Sequence, residues 1–156
     1  MPFLETMMGK LVFTAAIAMI PVVELRGAIP AGVAAGLSPW LACAAAIVGN
    51  LIPVPMIVLT VRQIFDWLKK SKRLGPRIEN LERRAHLKGR VVKKYRLLGL
   101  VLLVAIPLPG TGAWTGALVA ALLNIRLRTA LPAILLGLVI AGAITTAVTM
   151  GVVHLL

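Results

Sequence analysis

Pro21-Val22-Val23-Glu24-Leu25-Arg26-Gly27-Ala28-Ile29-Pro30 breaks one apolar run, and Pro107-Leu108-Pro109-Gly110-Thr111-Gly112-Ala113-Trp114-Thr115-Gly116 breaks another. Small residues follow each break, Ala31-Gly32-Val33-Ala34-Ala35 and Ala117-Leu118-Val119-Ala120-Ala121. Each run then leads into an apolar segment long enough to cross a bilayer. Broken helices at matching places in two half-chains point to a midplane site in a membrane protein.

The surrounding composition sets the same class. The chain is 60% hydrophobic with a mean hydropathy of +0.97, far above a soluble domain. Uncharged runs cover Gly27–Val61, Leu97–Ile125 and Thr129–Leu156, and a transmembrane helix needs only ~20 apolar residues. The net charge is +12, yet 13 of the 17 Lys and Arg residues fall between Arg62 and Arg96. A basic cluster between membrane segments follows the positive-inside rule and faces anionic headgroups. Nucleic acid is therefore not an expected partner, and the cluster is expected to be cytoplasmic in a multi-pass inner-membrane protein. Cys43 is the single cysteine, read as a small buried hydrophobe. The N-terminal apolar run continues past Ala18, so it is read as uncleaved.

The expected fold is an all-α integral membrane domain over residues 1–156. Repeat 1 spans about 10–67, a basic linker about 68–95, and repeat 2 about 96–156. Lys10–Ile20 and Ala28–Leu37 are predicted half-helices on either side of a Pro21–Gly27 break. A long helix follows from Ser38, a candidate cap, and Pro39 to about Trp67, kinked by Pro53 and Pro55. In the linker, Ile78, Leu81 and Ala85 recur at helical spacing and predict an amphipathic surface helix. Repeat 2 reads as half-helices Arg96–Ile106 and Ala113–Leu123 around the break, a turn at Asn124–Arg128, and a closing helix to about Leu155. Aligning Pro21 with Pro107 brings Ala34-Ala35 onto Ala120-Ala121 and Ser38 onto Asn124.

Half-helices of ~11 residues reach ~16 Å, about the bilayer midplane. If each broken segment turns back, each half crosses an odd number of times and the repeats are inverted. That topology puts Arg126 and Arg128 on the linker side and Lys10 on the other. Full crossing reverses both assignments. The Pro and Gly content of both breaks favours re-entry, with facing hairpins covering the opened backbone. A second copy is expected to complete the seal, making a homo-oligomer.

Glu24 and Arg26 are the sharpest candidates, because an ionisable group at membrane depth costs roughly 2.5–3.5 kcal/mol and marks a pathway or proton relay. In an unwound turn they can converge on one cavity, with Arg26 binding an anion and Glu24 handling a proton. The structural alternative is a pair that staples the hairpin, or Arg26 snorkelling outward. Gly110, Thr111, Gly112, Trp114 and Thr115 offer backbone amides beside a helix start, an arrangement suited to a phosphate. A tight turn that needs glycine is the alternative, and Trp114 reads equally as packing or interfacial. Arg126 and Arg128 read as membrane-edge anchors, with a lipid-headgroup contact as the second reading. Asn50 reads as a helix–helix hydrogen bond. His86 and His154 lie in different regions, so no metal site is expected. No paired acids, Ser/His/Asp set, Walker motif or Rossmann pattern occurs, so neither an enzyme nor a cofactor is expected.

Pro-x-x-Glu-x-Arg-Gly-Ala-Ile-Pro at 21–30 and Pro-x-Pro-Gly-Thr-Gly-Ala-Trp-Thr-Gly at 107–116 resemble the small multidrug export proteins over nearly the whole chain. That family is in turn similar to the DedA-type membrane proteins, built on two facing re-entrant hairpins and implicated in moving lipid carriers. The resemblance implies Glu24, Arg26, Pro30, Pro109, Gly110, Thr111 and Gly112 as the counterparts of the two hairpin motifs. DedA-type proteins place charge in both hairpins, whereas the second break here has none.

The leading expectation is a secondary transporter for an amphipathic substrate with an anionic head, such as a polyprenyl phosphate or phospholipid. Arg26 and the Gly110–Gly112 amides would hold the head while Glu24 couples to protons. A proton-coupled exporter of small hydrophobic cations is the second expectation, and a non-transporting membrane scaffold the third.

Overall fold

The computed structural model describes residues 5–69, 95–106 and 111–155, and the regular structure among them is helical, without strands. The seven helices are α1 (Met7–Met19), α2 (Glu24–Ala34), α3 (Pro39–Leu51), α4 (Pro53–Lys69), α5 (Arg96–Ala105), α6 (Ala113–Leu122) and α7 (Leu127–Leu155). The amphipathic helix expected around Ile78, Leu81 and Ala85 lies outside the described residues, as do Pro107–Gly110.

Local chemistry explains most of the boundaries. α1 starts one turn before Lys10 because the Thr6 hydroxyl accepts from the Gly9 amide at 3.2 Å, satisfying an amide the helix leaves open. Pro39 opens α3, where its missing N–H costs nothing. Ser38 stands at the cap position, but its hydroxyl makes no capping bond. α3 and α4 part at Ile52, ahead of Pro53. Ile52 keeps helical angles, φ −56° and ψ −50°, so Pro39–Trp67 remains one span.

α2 differs from its predicted limits. It starts at Glu24, four residues before Ala28, and runs through Pro30 to Ala34. Glu24 and Arg26 therefore belong to the first turn of a helix rather than to an unwound loop. The first break shrinks to residues 20–23, in which Val22 has φ +82°.

α2 and α6 end in the same cap. Gly36 donates to the Val33 carbonyl at 2.9 Å and Leu37 to Gly32 at 3.0 Å. Asn124 donates to Ala121 at 3.1 Å and Ile125 to Ala120 at 2.9 Å. Both are Schellman motifs with a left-handed residue, Gly36 at φ +88° and Asn124 at φ +53°. The counterpart of Asn124 is thus Gly36, an offset of 124 − 36 = 88, and not Ser38. The ends of α1 and α5, Met19 and Ala105, differ by 105 − 19 = 86. The second break is longer, so one sliding alignment cannot hold across it.

α1 lies on α3 and α5 on α7; α2 packs chiefly on α1 and α3 and also reaches α7, while α6 packs chiefly on α4. Lys10 reaches Gly36 and Thr14 reaches Gly32, so α2 folds back along α1. Gly116 lies against Val104, and the Arg62 guanidinium donates to the Ile125 carbonyl, which sets the foot of α6 beside the C-terminal part of α4.

The interior is apolar, with Ile29, Leu100, Ile134 and Leu138 fully buried, and it is also rich in small residues, while many large apolar side chains face outward. The interior holds Ala18, Ala28, Ala46, Ala117 and Ala120 with Thr14, Glu24, Asn50 and Thr146, while Met8, Val48, Met56, Leu122 and Val148 are exposed. Outward large apolar groups and inward small or polar ones suit a lipid solvent, where close backbone approach replaces hydrophobic drive. Two spans, Pro39–Trp67 and Leu127–Val153, are long and apolar enough to cross a bilayer. Trp40 and Trp67, 70% and 74% exposed, bracket the first across a helical rise of ~40 Å, which matches headgroup-to-headgroup thickness and interfacial aromatics.

Close approach is tightest where Gly49 meets α1, since a Cβ there would overlap the Ala15 backbone. Gly49→Leu is expected to force α1 off α3 and to destabilise the protein by ~3 kcal/mol or more. The thermal midpoint in detergent measures this, with lipid-facing Val48→Leu as a near-neutral control.

Candidate functional site

The two breaks dock onto each other. From the first turn of α2, Glu24 and Arg26 reach different parts of the second break. Arg26 Nη2 donates to the Thr111 carbonyl at 2.5 Å, to Thr111 Oγ1 at 3.0 Å and to the Ile106 carbonyl at 3.5 Å. Thr111 Oγ1 in turn donates to the Ile106 carbonyl at 2.8 Å. These carbonyls lie at and beyond the end of α5, where helical partners run out.

The second break answers in kind. The Trp114 indole Nε1 donates to the Met19 carbonyl, at the end of α1, at 3.2 Å. In the 88-residue register of the caps, Trp114 is the counterpart of Arg26. Each hairpin therefore sends a side-chain donor from the first turn of its second helix to the open carbonyl end of the other hairpin's first helix. In hydrocarbon those carbonyls would otherwise cost several kcal/mol each.

Glu24 fills the centre. Only 6% exposed, its Oε1 accepts from the Trp114 backbone amide at 3.4 Å. Its carboxylate occupies the space that a side chain on Gly112 would need. Gly112 is also the counterpart of Glu24 in the 88-residue register. The positions face each other, and only one can carry a side chain. The amide end of α6 is the positive end of its dipole, which suits a carboxylate.

Backbone geometry aims this carboxylate. Glu24 has φ +46° and Val22 φ +82°, conformations that cost non-glycine residues of order 1–3 kcal/mol each and cluster at functional sites. Asn50 braces the turn from α3. With its amide oriented to satisfy both neighbours, it donates to the Ala18 carbonyl at 3.1 Å and accepts from the Leu25 amide at 2.9 Å. It is the buried interhelical bond that the sequence suggests.

Of the residues singled out from the sequence, Glu24, Arg26, Thr111, Gly112 and Trp114 meet at this junction. Thr115 is half-buried on the first turn of α6. Pro30 is exposed on α2, more than a turn from Glu24. Pro109 and Gly110 lie outside the described residues. Arg126 and Arg128 are exposed beyond the other end of α6. The Met19 and Ile106 carbonyls could not be foreseen, because backbone acceptors leave no mark in residue identity. Among the described residues, no three His, Cys, Asp or Glu side chains gather as a metal site would require.

The family described as "Putative small multi-drug export protein" matches residues 24–144. The chain belongs to that family. The match covers Glu24, Arg26, Gly112 and Trp114, the groups that join the two breaks, and includes most of both spans, as befits a membrane protein. No curated protein and no solved structure matches the chain.

The contact between Glu24 and Gly112 is testable by a double-mutant cycle. Gly112→Ala is expected to cost ~2 kcal/mol, because its methyl collides with the carboxylate. In a Glu24→Ala background the same change should cost less than ~1 kcal/mol, a coupling typical of residues in direct contact. Melting of the four proteins in one detergent measures it.

Proposed function

We propose that this chain is a secondary transporter that moves an amphipathic substrate with an anionic head through the junction of the two breaks. The observation that carries this reading is the meeting of Arg26, the buried Glu24 and the amide end of α6 within apolar segments. A guanidinium and helix-end amides are the donors that recognise phosphate, and the apolar helices around them suit a hydrocarbon tail. Lipid phosphates, whether polyprenyl phosphates or phospholipids, combine both features. In this reading Arg26 and the α6 amides hold the head, Glu24 carries the coupling proton, and the half-buried Thr111 and Trp114 line the approach. Arg126 and Arg128 hold lipid headgroups at the membrane edge. No bond of the substrate is broken, so the protein is not an enzyme.

In the proposed topology both hairpins are re-entrant and the repeats inverted. The fold-back of α2 along α1, and the Arg62 contact at the foot of α6, support it. The basic linker then faces the cytoplasm from the inner membrane. The exposed turn at Pro21 and Val22 opens backbone at membrane depth, and a second copy of the chain would cover it. A single-cysteine Asn124→Cys protein, made in a Cys43→Ala background, should react with a membrane-impermeant thiol reagent from the linker's side. Labelling from the opposite side would mean that the second broken segment crosses fully.

The family's description and the isolated carboxylate of Glu24 favour a second reading, export of small hydrophobic cations. Binding separates the two. Full-length protein in maltoside micelles should bind dodecyl phosphate in preference to dodecyltrimethylammonium, and Arg26→Ala should weaken that binding by ~10-fold or more. Preference for the ammonium compound, lost in Glu24→Gln, would establish the second reading and overturn the first.

A further inference from the structure

The junction itself contains a carboxyl group. The Glu24 carboxylate lies over the amide end of α6, with Oε1 at 3.4 Å from the Trp114 amide. The missing side chain of Gly112 makes room for it. Burying an acid there is costly. It is held by the same donors that an incoming anionic head would use, and it is tethered to a strained turn at φ +46°.

We infer that the amide end of α6 is a single anion site, occupied in turn by the Glu24 carboxylate and by the substrate's anionic head. This rests on the anionic-substrate reading above and adds its coupling rule. Two negative charges cannot share one set of amides without strong repulsion. The head enters only when Glu24 withdraws, and withdrawal is easiest once a proton has neutralised the carboxylate. Proton and anion are then taken up together, and Glu24 reoccupies the site when both have left.

The surroundings leave few competing titrations. The second break meets Glu24 with the Trp114 amide, and the adjoining Leu25 amide is held by Asn50 of α3; both partners are uncharged. Arg26, on the same helix as Glu24, is the neighbouring charge. Lys10 of α1 lies at the far end of the hairpin, beside Gly36.

The rule predicts an unusual mutant. Loss of a carboxylate from an ordinary binding site weakens binding, whereas loss of a tethered competitor strengthens it. The probe is a dodecyl methyl phosphodiester, whose single charge does not titrate between about pH 5 and pH 8. Binding to the full-length protein in phosphatidylcholine nanodiscs is measured by calorimetry at both pH values. Wild type should bind more tightly at the lower pH. Glu24→Gln and Glu24→Ala should bind ~10-fold or more tightly than wild type at the higher pH and lose the pH dependence. Inorganic phosphate, tested in parallel, separates a lipid phosphate from a free one: equal binding of both would assign the site to free phosphate. If wild type binds the diester but both Glu24 variants match or weaken it, the shared-site rule is overturned while the anionic-substrate reading stands. If neither wild type nor variant binds either phosphate compound, the anionic-substrate reading fails and the rule with it.

Discussion

A helix end leaves backbone carbonyls without helical partners, and the junction of the two breaks is organised around supplying them. Met19 and Ile106 mark the two open ends. Each is met by a donor from the opposite hairpin, an indole N–H for one and a guanidinium for the other. The Thr111 hydroxyl adds a donor from within the second break to the Ile106 carbonyl, and the cross-hairpin donors supplement such local bonds. These cross-hairpin bonds tie the two breaks to each other.

The near-symmetry of this exchange makes its departures informative. Arg26 and Trp114 occupy equivalent places and perform equivalent bonds with different chemistry. Glu24 and Gly112 occupy equivalent places and cannot be alike, because their positions converge on one volume. A carboxylate on both sides would demand both space and charge compensation that the junction lacks. The absence of charge from the second break therefore follows from geometry: the second half supplies the cavity that the first half's acid fills.

Much of this architecture was legible in the sequence. Proline, glycine and the uncharged runs place α1, α5, α6 and α7 within a few residues of their observed limits, since those signals act locally. The start of α2 was not legible. Val22, Val23 and Glu24 contain no cap residue that would open a helix there, and the Leu25 amide in its first turn is held by Asn50, a residue remote in sequence. Nor was the repeat register legible: Pro21 and Pro107 invite one alignment, whereas the Schellman caps, fixed by Gly36 and Asn124, enforce another. Glu24 and Arg26 stood out because ionisable groups within an apolar run are conspicuous, and Thr111 because it sits in a Gly-rich break. The role of Trp114 was hidden, because an aromatic residue looks the same whether its N–H faces lipid headgroups or a buried carbonyl.

The interruption at Ile52 has a mechanical consequence. Above it, α3 belongs to the first hairpin, locked to α1 where Gly49 admits the Ala15 backbone. Below it, α4 belongs to the second hairpin through its packing on α6. One long rod is thus shared by both hairpins, with Asn50 half a turn before Ile52 and fastened to the first break. The turn that aims Glu24 is therefore anchored to the same rod that carries the second hairpin, so the two halves share a scaffold as well as a contact.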